Sequence, residues 1–261
     1  MTKFENTSNL TGAEIAEINQ EMADRPTTLE SATFLVNWAR QRFGERLLAD
    51  TSFGKDSALM WDVVALSGED ITFTFGDTKL LPPETYEQRD TLTSRYPMDL
   101  AVATPDDEDF EEVVRQKLWR STRRQDLDRF LSVVKLEPLS RLDRRLGKKA
   151  TLAAARRDQT LDREGLDYVV EQHDGTYRVY PLLDWTGPQV DDYIDSQDLP
   201  RNRLPVLYGL GAVSYRNVVY FEGKIEVVAF NSCGRNSPDS QPVYGLQGQS
   251  LEGPDLLHKY F

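Results

Sequence analysis

Hydrophobic and polar positions follow two helical patterns near the start of the chain. Apolar side chains recur at helical spacing over residues 11–24, and Pro26 ends that segment. Thr28 opens a second helical segment with a capping pattern, and Gly44 stops it after Phe43. We predict two N-terminal helices from these patterns.

The pattern then alternates between short apolar strands and helices. Strands and helices are predicted in alternation over residues 46–51, 58–66, 70–76, 84–92 and 99–104. Short connections between such elements are typical of a parallel sheet covered by helices. We therefore predict an α/β fold, in which ligands bind at the carboxyl ends of the strands.

The next part of the chain adds a charged helical stretch, a small apolar run and a hairpin. Residues 105–130 are charged and helical, and residues 149–155 predict a central strand. Tyr168–Glu171 and Tyr177–Tyr180 are predicted as hairpin strands, with His173 in the turn.

A final helix precedes a segment that is poor in periodic structure. Thr186 is expected to cap a helix over Gln189–Asp195, and glycines and prolines make the chain beyond Leu199 loop-rich. We predict an N-terminal helical extension, a nucleotide-binding domain and a C-terminal tail, over residues 1–27, 28–215 and 216–261.

One polar loop, Ser52-Phe53-Gly54-Lys55-Asp56-Ser57, connects a predicted strand to a predicted helix. A glycine lets the backbone approach an oxyanion, and the first amides of the following helix point at it. Two serine hydroxyls and the Lys55 ammonium add donors. The spacing fits neither a Walker A loop nor a dinucleotide fingerprint. The loop is therefore either a phosphate or sulfate cradle or an ordinary polar turn.

Further polar groups fall at the same predicted edge of the sheet. Asp77 and Thr78 end the second strand, where a parallel sheet binds ligands. Arg156 and Arg157 follow the small apolar strand. Two guanidinium groups at the end of a buried strand require either an anion or a structural ion pair with Asp158.

Composition limits the kinds of partner. The chain of 261 residues has a formal net charge of −12, which argues against a broad nucleic-acid surface. A single cysteine excludes an internal disulfide, an all-cysteine iron–sulfur cluster and a multi-cysteine zinc site, and two histidines are too few for a histidine-built metal centre. A polar N-terminus without a long apolar run predicts a cytoplasmic protein with no membrane span.

Several short blocks occur in a fixed order along the chain. They are Thr51-Ser-Phe-Gly, Asp77-Thr78, Leu81-Pro-Pro-Glu-Thr-Tyr, Lys135-Leu-Glu-Pro-Leu, Arg156-Arg-Asp-Gln, Pro181-Leu-Leu-Asp-Trp-Thr and Leu199-Pro200. Their order resembles the phosphoadenosine-phosphosulfate reductase family, which belongs to the PP-loop adenine-nucleotide α-hydrolases. The resemblance covers roughly residues 30–235, and the ordered set is far more specific than any one block.

The resemblance implies a Rossmann-like parallel sheet with helices on both faces and an adenine-nucleotide site at its carboxyl edge. The residues expected to bind the nucleotide are Ser52, Phe53, Gly54, Lys55, Asp56, Ser57, Asp77, Thr78, Lys135, Arg156, Arg157, Asp158 and Gln159. Lysine and arginine there would neutralise phosphate and sulfate charge. Catalysis is expected from Cys233, Lys55 and Arg157, with no metal ligands.

Reductases of this family carry a C-terminal Glu-Cys-Gly-Leu-His segment. Its thiolate attacks the sulfate sulfur, and a thioredoxin-like partner then releases sulfite. Here Asn231-Ser-Cys233-Gly234-Arg235 keeps only the Cys-Gly pair, and Arg235 would help form the thiolate in place of the histidine. Cys233 is therefore either the nucleophile or a buried inert thiol. The resemblance also implies an adenine-nucleotide substrate, no iron–sulfur cluster and a homodimer.

Two departures from the family favour other functions. Lys79 stands where the family has glycine, and Lys55-Asp56-Ser57 resembles PP-loop enzymes that cleave ATP with Mg²⁺. The first hypothesis is thus a thiol-dependent phosphoadenylyl sulfate reductase. The alternatives are an ATP pyrophosphatase or adenylyl transferase in sulfur transfer or acceptor activation, and a non-catalytic nucleotide-binding protein whose tail, with Tyr244 and Leu246, docks a partner.

Overall fold

The computed structural model describes residues 9–204, 218–227 and 250–251. Two compact units are interleaved along the chain. Unit 1 comprises Met1–Thr74, Thr91–Ala101 and Asp143–Arg201, and unit 2 comprises Phe75–Asp90, Val102–Leu142 and Asn202–Phe261. The division predicted from the sequence, at residues 27 and 215, stays a prediction.

Helices and strands alternate through most of the described chain. The helices are α1 (Gly12–Asp24), α2 (Leu29–Phe43), α3 (Ser57–Ser67), α4 (Pro83–Arg95), α5 (Asp107–Arg115), α6 (Arg124–Leu131), α7 (Glu137–Arg145) and α8 (Gly187–Ser196). The strands are β1 (Leu47–Thr51), β2 (Phe73–Gly76), β3 (Leu100–Ala103), β4 (Ala150–Leu152), β5 (Val169–Glu171), β6 (Tyr177–Val179), β7 (Val218–Phe221), β8 (Lys224–Val227) and β9 (Ser250–Leu251). No helix among the described residues is long and apolar enough to span a bilayer.

The central sheet has the strand order β3-β2-β1-β4-β6-β5. β1 pairs parallel with β4, and β4 pairs parallel with β6. β5, the first strand of the hairpin pair, runs antiparallel to β6. The predicted α/β fold with a mostly parallel sheet is confirmed. Parallel neighbours put their carboxyl ends at one edge, so the segments that follow β1 and β4 emerge side by side.

Capping side chains set the helix ends that the sequence predicted. Thr11 and Glu14 form a reciprocal capping box at α1, and Thr28 accepts a hydrogen bond from the Ser31 amide at the start of α2. Thr186 caps α8 in the same manner, through the Gln189 amide. These helix starts are local events, which explains why single residues predicted them.

The core of unit 1 lies between α2, α3 and the sheet. α3 is apolar almost all round and buries Leu59, Met60, Trp61, Val63 and Val64. The Trp61 ring stacks on Phe73 of β2 with 4.1 Å between ring centroids. A helix that is buried on most faces is fixed by core packing, so α3 anchors the loop that precedes it.

Two predicted elements differ from the structure. The charged stretch over 105–130 is broken, since Ser121 to Arg123 separate a short 3₁₀ turn from α6. The predicted strand over 149–155 is shorter, since β4 spans Ala150–Leu152. The Ala153 amide still donates to the Val179 carbonyl of β6, whereas the Arg157 amide donates to the Leu183 carbonyl outside the sheet, 2.8 Å away.

Unit 2 has its own small core. It gathers Val113, Trp119, Phe130, Val134 and Val219, which are nearly or fully buried. Val219 comes from β7, which pairs antiparallel with β8 in a second sheet. β7 and β8 thus lie in the part of the chain that the sequence predicts to be loop-rich, and β7 completes this core.

Candidate active site

The loop between β1 and α3 is anchored by its first residues. Thr51 Oγ1 accepts hydrogen bonds from the Phe53 amide and from Trp61 Nε1, each at 3.3 Å. Phe53 has a left-handed backbone with φ 51°, and its side chain is fully buried beside Trp61. Phe53 therefore fixes the shape of the loop from inside the core and presents only its backbone to a ligand.

α3 begins at Ser57, and its first-turn amides face the loop. Asp56 occupies the capping position, yet its carboxylate makes no cap hydrogen bond. The carboxylate instead accepts hydrogen bonds at Oδ2 from Arg156 Nη1 and from Gln159 Nε2, the latter at 2.8 Å. The predicted phosphate loop and the arginine segment after β4 thus meet at one carboxylate.

Arg156 is the buried centre of this cluster, with 6% of its surface exposed. Its Nε donates to Asp158 Oδ1 at 2.9 Å, and its Nη1 pairs with Asp56. Arg156 Nη2 donates no hydrogen bond to any of the described residues. A Cβ built on Gly187 would lie 3.7 Å from that nitrogen, so Nη2 points beside the start of α8. The guanidinium is fixed on two sides and leaves one nitrogen for a ligand.

Burial dominates the electrostatics of Asp56. It raises the pKa of this carboxyl above its usual range, and the positive charges of Arg156 and Lys55 offset only part of the shift. Asp56 Oδ1 is buried without a hydrogen-bond partner among the described residues. The negative charge of the Asp56 carboxylate therefore costs free energy in this buried loop, and one of its two oxygens lacks a hydrogen bond.

Asp158 connects Arg156 to helix α8. Its Oδ2 accepts the Gly187 amide at 2.6 Å while its Oδ1 holds Arg156. The Gln189 and Val190 amides bond to Thr186, so the N-terminus of α8 has its own partners. The ion pair with Asp158 that the sequence suggested does form.

Arg157 points to a different group of residues. Its Nη1 pairs with Asp184, and its Nε and Nη2 donate to the Leu166 carbonyl at 3.1 and 2.8 Å. The Tyr168 hydroxyl donates to the other Asp184 oxygen at 2.6 Å, and the guanidinium lies over the Tyr168 ring. These contacts hold two chain segments together. A catalytic role for Arg157 stays a prediction, and the contacts favour a positioning role.

Three further residues that the sequence predicts to bind the nucleotide, Asp77, Thr78 and Lys135, belong to unit 2. Asp77 Oδ1 accepts the Lys79 amide at 2.8 Å and the Tyr86 hydroxyl at 2.7 Å, and Thr78 Oγ1 accepts the Leu80 amide. Burial and the Asp77 hydrogen bond raise the pKa of Tyr86. Lys135 lies half-buried in the π-helical turn Ser132–Leu136 before α7. Their part in nucleotide binding stays a prediction.

Lys79 shows why glycine suits its position. Its backbone has φ 58°, a left-handed conformation that costs about 1 kcal/mol or more for a residue with a Cβ. Its ammonium pairs with Asp107, which is mostly exposed, so the ion pair contributes little to the free energy of unfolding.

The Lys79→Gly variant is expected to be about 1 kcal/mol more stable than Lys79→Ala, which keeps the Cβ and equally lacks the ion pair. Urea unfolding of both measures this difference, and an alanine variant of equal stability would contradict it.

Three residues that support the loop or the arginines were not predicted as site residues. Thr51 and Asp184 lay within recognised blocks, whereas Asp191, which pairs with Lys55, carried no recognisable sequence signal. Cys233 and Arg235 lie outside the described residues, so their predicted roles are untested. No group of three or more histidine, cysteine, aspartate or glutamate side chains forms a metal site in the described ranges.

Comparison with known proteins places the chain in a family. Residues 46–214 match the family described as phosphoadenosine phosphosulfate reductase domain. A phosphoadenosine 5′-phosphosulfate reductase of Synechococcus sp. is 34% identical over 191 residues, which are 73% of this chain and 80% of that protein. One of Synechocystis sp. is 37% identical over 177 residues, or 67% of this chain and 71% of that protein.

A solved structure shares the fold. The phosphoadenylyl-sulfate reductase of Candida auris, crystallised as a phosphate complex, superposes with a TM-score of 0.65 at 24% identity. The match covers 76% of this chain and 93% of that one. The family match spans more than half of the chain and the two bacterial relatives exceed 30% identity, so this chain belongs to the phosphoadenosine phosphosulfate reductase family.

Proposed function

We propose that this protein is a thiol-dependent reductase that converts phosphoadenylyl sulfate to sulfite and adenosine 3′,5′-bisphosphate. The observation that carries the proposal is the Arg156 cluster, in which a buried guanidinium is fixed between Asp56 of the loop and Asp158. The family membership and the reductase names of the relatives give the reaction class.

The cluster suits a phosphosulfate for a physical reason. Phosphate and sulfate oxygens are held best by several fixed donors, and arginine offers them in a planar fork. Arg156 Nη2 and the Ala58 and Leu59 amides in the first turn of α3 are donors of this kind, because each is positioned before the ligand arrives, whereas the Ser57 amide donates to the Gly54 carbonyl. Lys55, half-exposed at the loop, adds a movable positive charge.

The proposed chemistry requires one thiolate from the chain. Cys233 Sγ forms a bond to the sulfate sulfur, and the bond from that sulfur to the bridging oxygen breaks, so adenosine 3′,5′-bisphosphate leaves with the electron pair. One thiol of a thioredoxin-like dithiol then attacks Cys233 Sγ, and the bond from Sγ to the sulfonate sulfur breaks, so sulfite leaves. The second thiol of the dithiol breaks the resulting mixed disulfide, which regenerates the Cys233 thiolate and leaves the dithiol as a disulfide. A single cysteine cannot hold an all-cysteine iron–sulfur cluster, and we propose none. A homodimer in the cytoplasm, where thiols stay reduced, completes the proposal.

The direct test isolates the covalent intermediate. Reduced protein is incubated with phosphoadenylyl sulfate without thioredoxin, and the intact chain is weighed by mass spectrometry. We expect one added SO₃ group, located on Cys233 by peptide mapping and lost as sulfite when thioredoxin is supplied. An unmodified chain that binds the nucleotide would contradict the thiol mechanism.

A second function is favoured by one observation, the unpartnered Asp56 Oδ1 within Lys55-Asp56-Ser57. Mg²⁺ takes one or two carboxylates together with substrate phosphates, so Asp56 fits as a ligand for Mg²⁺ in an ATP-cleaving enzyme. This alternative is an ATP pyrophosphatase or adenylyl transferase. It requires pyrophosphate release from ATP and Mg²⁺ with some acceptor, and release should end in Asp56→Asn. Sulfite formation without any pyrophosphate release would reject it.

A further inference from the structure

The loop lysine has a partner that no motif contains. Lys55 Nζ lies 2.7 Å from Asp191 Oδ2, and 136 positions of the chain separate the two residues. Asp191 lies on α8, the helix whose start is tied to Arg156 through Asp158. Lys55 and Asp191 are 40% and 38% exposed, so this ion pair is weak enough to open.

The other oxygen of Asp191 is held by Arg201. Arg201 Nη1 donates to Asp191 Oδ1 at 2.8 Å, and Nη2 donates to the Asp191 carbonyl at the same distance. Arg201 also contacts Asp195, one turn further along α8, at 2.8 Å. Arg201 is thus anchored to the helix by several contacts, whereas Lys55 reaches Asp191 through a single one.

This asymmetry decides which cation can leave. Partial burial raises the pKa of Asp191, but the hydrogen bonds and charges of Lys55 and Arg201 outweigh it and keep the carboxylate ionised. If Lys55 moves away, Arg201 still compensates the charge of Asp191. Departure of the lysine therefore leaves no uncompensated carboxylate, and its cost stays small.

We propose that Asp191, held by Arg201, is the resting partner of Lys55, and that Lys55 moves from Asp191 to the anionic end of the bound nucleotide. Asp191 is then a positioning residue that competes with the ligand for one cation of the loop. The inference rests on the proposed function, because it requires an anionic nucleotide at the Ser52–Ser57 loop.

The competition predicts a gain of affinity on removal of the resting partner. Asp191→Asn should lower the Kd for adenosine 3′,5′-bisphosphate by about two- to fivefold, the range of partly exposed ion pairs. Asp195→Asn is the matched control, since it removes the same charge from the same helix and from Arg201 but leaves the Lys55 contact. Its Kd should stay within about twofold of the wild type. Isothermal titration calorimetry measures the Kd of the wild type, of Asp191→Asn and of Asp195→Asn.

A double-mutant cycle separates direct competition from a general field effect. In a Lys55→Met background, Asp191→Asn should give no gain, because the cation that it releases is absent. A gain that persists without Lys55, or no gain with Lys55 present, would overturn the inference. Wild-type protein that binds neither adenosine 3′,5′-bisphosphate nor ATP would overturn the proposed function as well, so the two failures are distinguishable. Thermal unfolding of each variant confirms that the folded protein is being compared.

Discussion

Replacement of Arg156 by methionine is expected to lower kcat/KM for phosphoadenylyl sulfate by about two to three orders of magnitude. A fixed donor to an anionic centre in a water-poor site is worth roughly 3–4 kcal/mol of transition-state stabilisation. Arg156 is such a donor, because the residue is 6% exposed and its guanidinium is oriented by Asp56 and Asp158. Methionine keeps much of the apolar length of the side chain and removes every donor.

The same substitution is expected to destabilise the fold. Removing one member of a buried ion pair costs about 3–5 kcal/mol, since its carboxylates lose their compensation. Most of this loss of stability is expected from Asp56, because burial already raises the pKa of its carboxyl and Arg156 offsets part of that shift. Activity must therefore be measured below the unfolding transition, which a urea titration locates for each variant.

Two further variants keep the test decisive if Arg156→Met folds poorly. Arg156→Lys retains the positive charge without the planar fork, and a loss of about tenfold in kcat/KM is expected. Arg40→Met removes a half-buried arginine on α2, whose carboxylate partner is Glu69 at 3.7 Å, and should leave kcat/KM within about twofold. Wild-type activity in Arg156→Lys and Arg156→Met together would show that the cluster is only structural.

The parts of the fold that the sequence predicted are those with local causes. Thr28 and Thr186 cap helices through amides a few residues away, and hydroxyl, amide and helical period lie in one short segment. The strand–loop–helix unit around Ser52–Ser57 is likewise local. Alternation of strands and helices then gave the parallel sheet, because few topologies accommodate that order.

The candidate site depends on contacts that local patterns do not determine. Arg156 and Asp56 meet across 100 positions, and Lys55 and Asp191 across 136. From the sequence, Arg156 had either an anion or Asp158 as its partner, and the structure adds a third group, the carboxylate of the loop itself. From the sequence, both adjacent arginines were expected to bind the nucleotide, and Arg157 alone was also expected to be catalytic. They separate in the structure because Arg156 continues toward the loop while Arg157 turns to Leu166 and Asp184.

The sequence did not predict which loop residue takes a strained backbone conformation. Gly54 was expected to let the backbone approach an oxyanion, and the left-handed conformation falls on Phe53, whose ring is buried beside Trp61. The sequence shows that a tight turn exists, but the position of the strained residue depends on core packing. Packing against a distant strand and helix cannot be read from six residues.

Substitution of Cys233 by serine is the second large effect that we expect, with sulfite release reduced by more than about a thousandfold. A serine hydroxyl is not ionised at neutral pH and is a far weaker nucleophile toward sulfur than a thiolate. No other thiol is present in the chain to replace it. Affinity for adenosine 3′,5′-bisphosphate should stay within about twofold of the wild type, because the proposed donors to the nucleotide lie on the loop and on Arg156.

A matched control distinguishes loss of the nucleophile from general damage. His173 lies exposed in the turn between β5 and β6, and no other histidine is among the described residues. His173→Ala should therefore keep wild-type sulfite release, whereas Cys233→Ser should bind nucleotide, form no SO₃ adduct and release no sulfite. If Cys233→Ser keeps sulfite release, the thiol mechanism is wrong although the anion site remains. If Cys233→Ser and the wild type both bind ATP and release pyrophosphate with Mg²⁺, the loop Lys55-Asp56-Ser57 indicates the true chemistry, and Cys233 is a bystander.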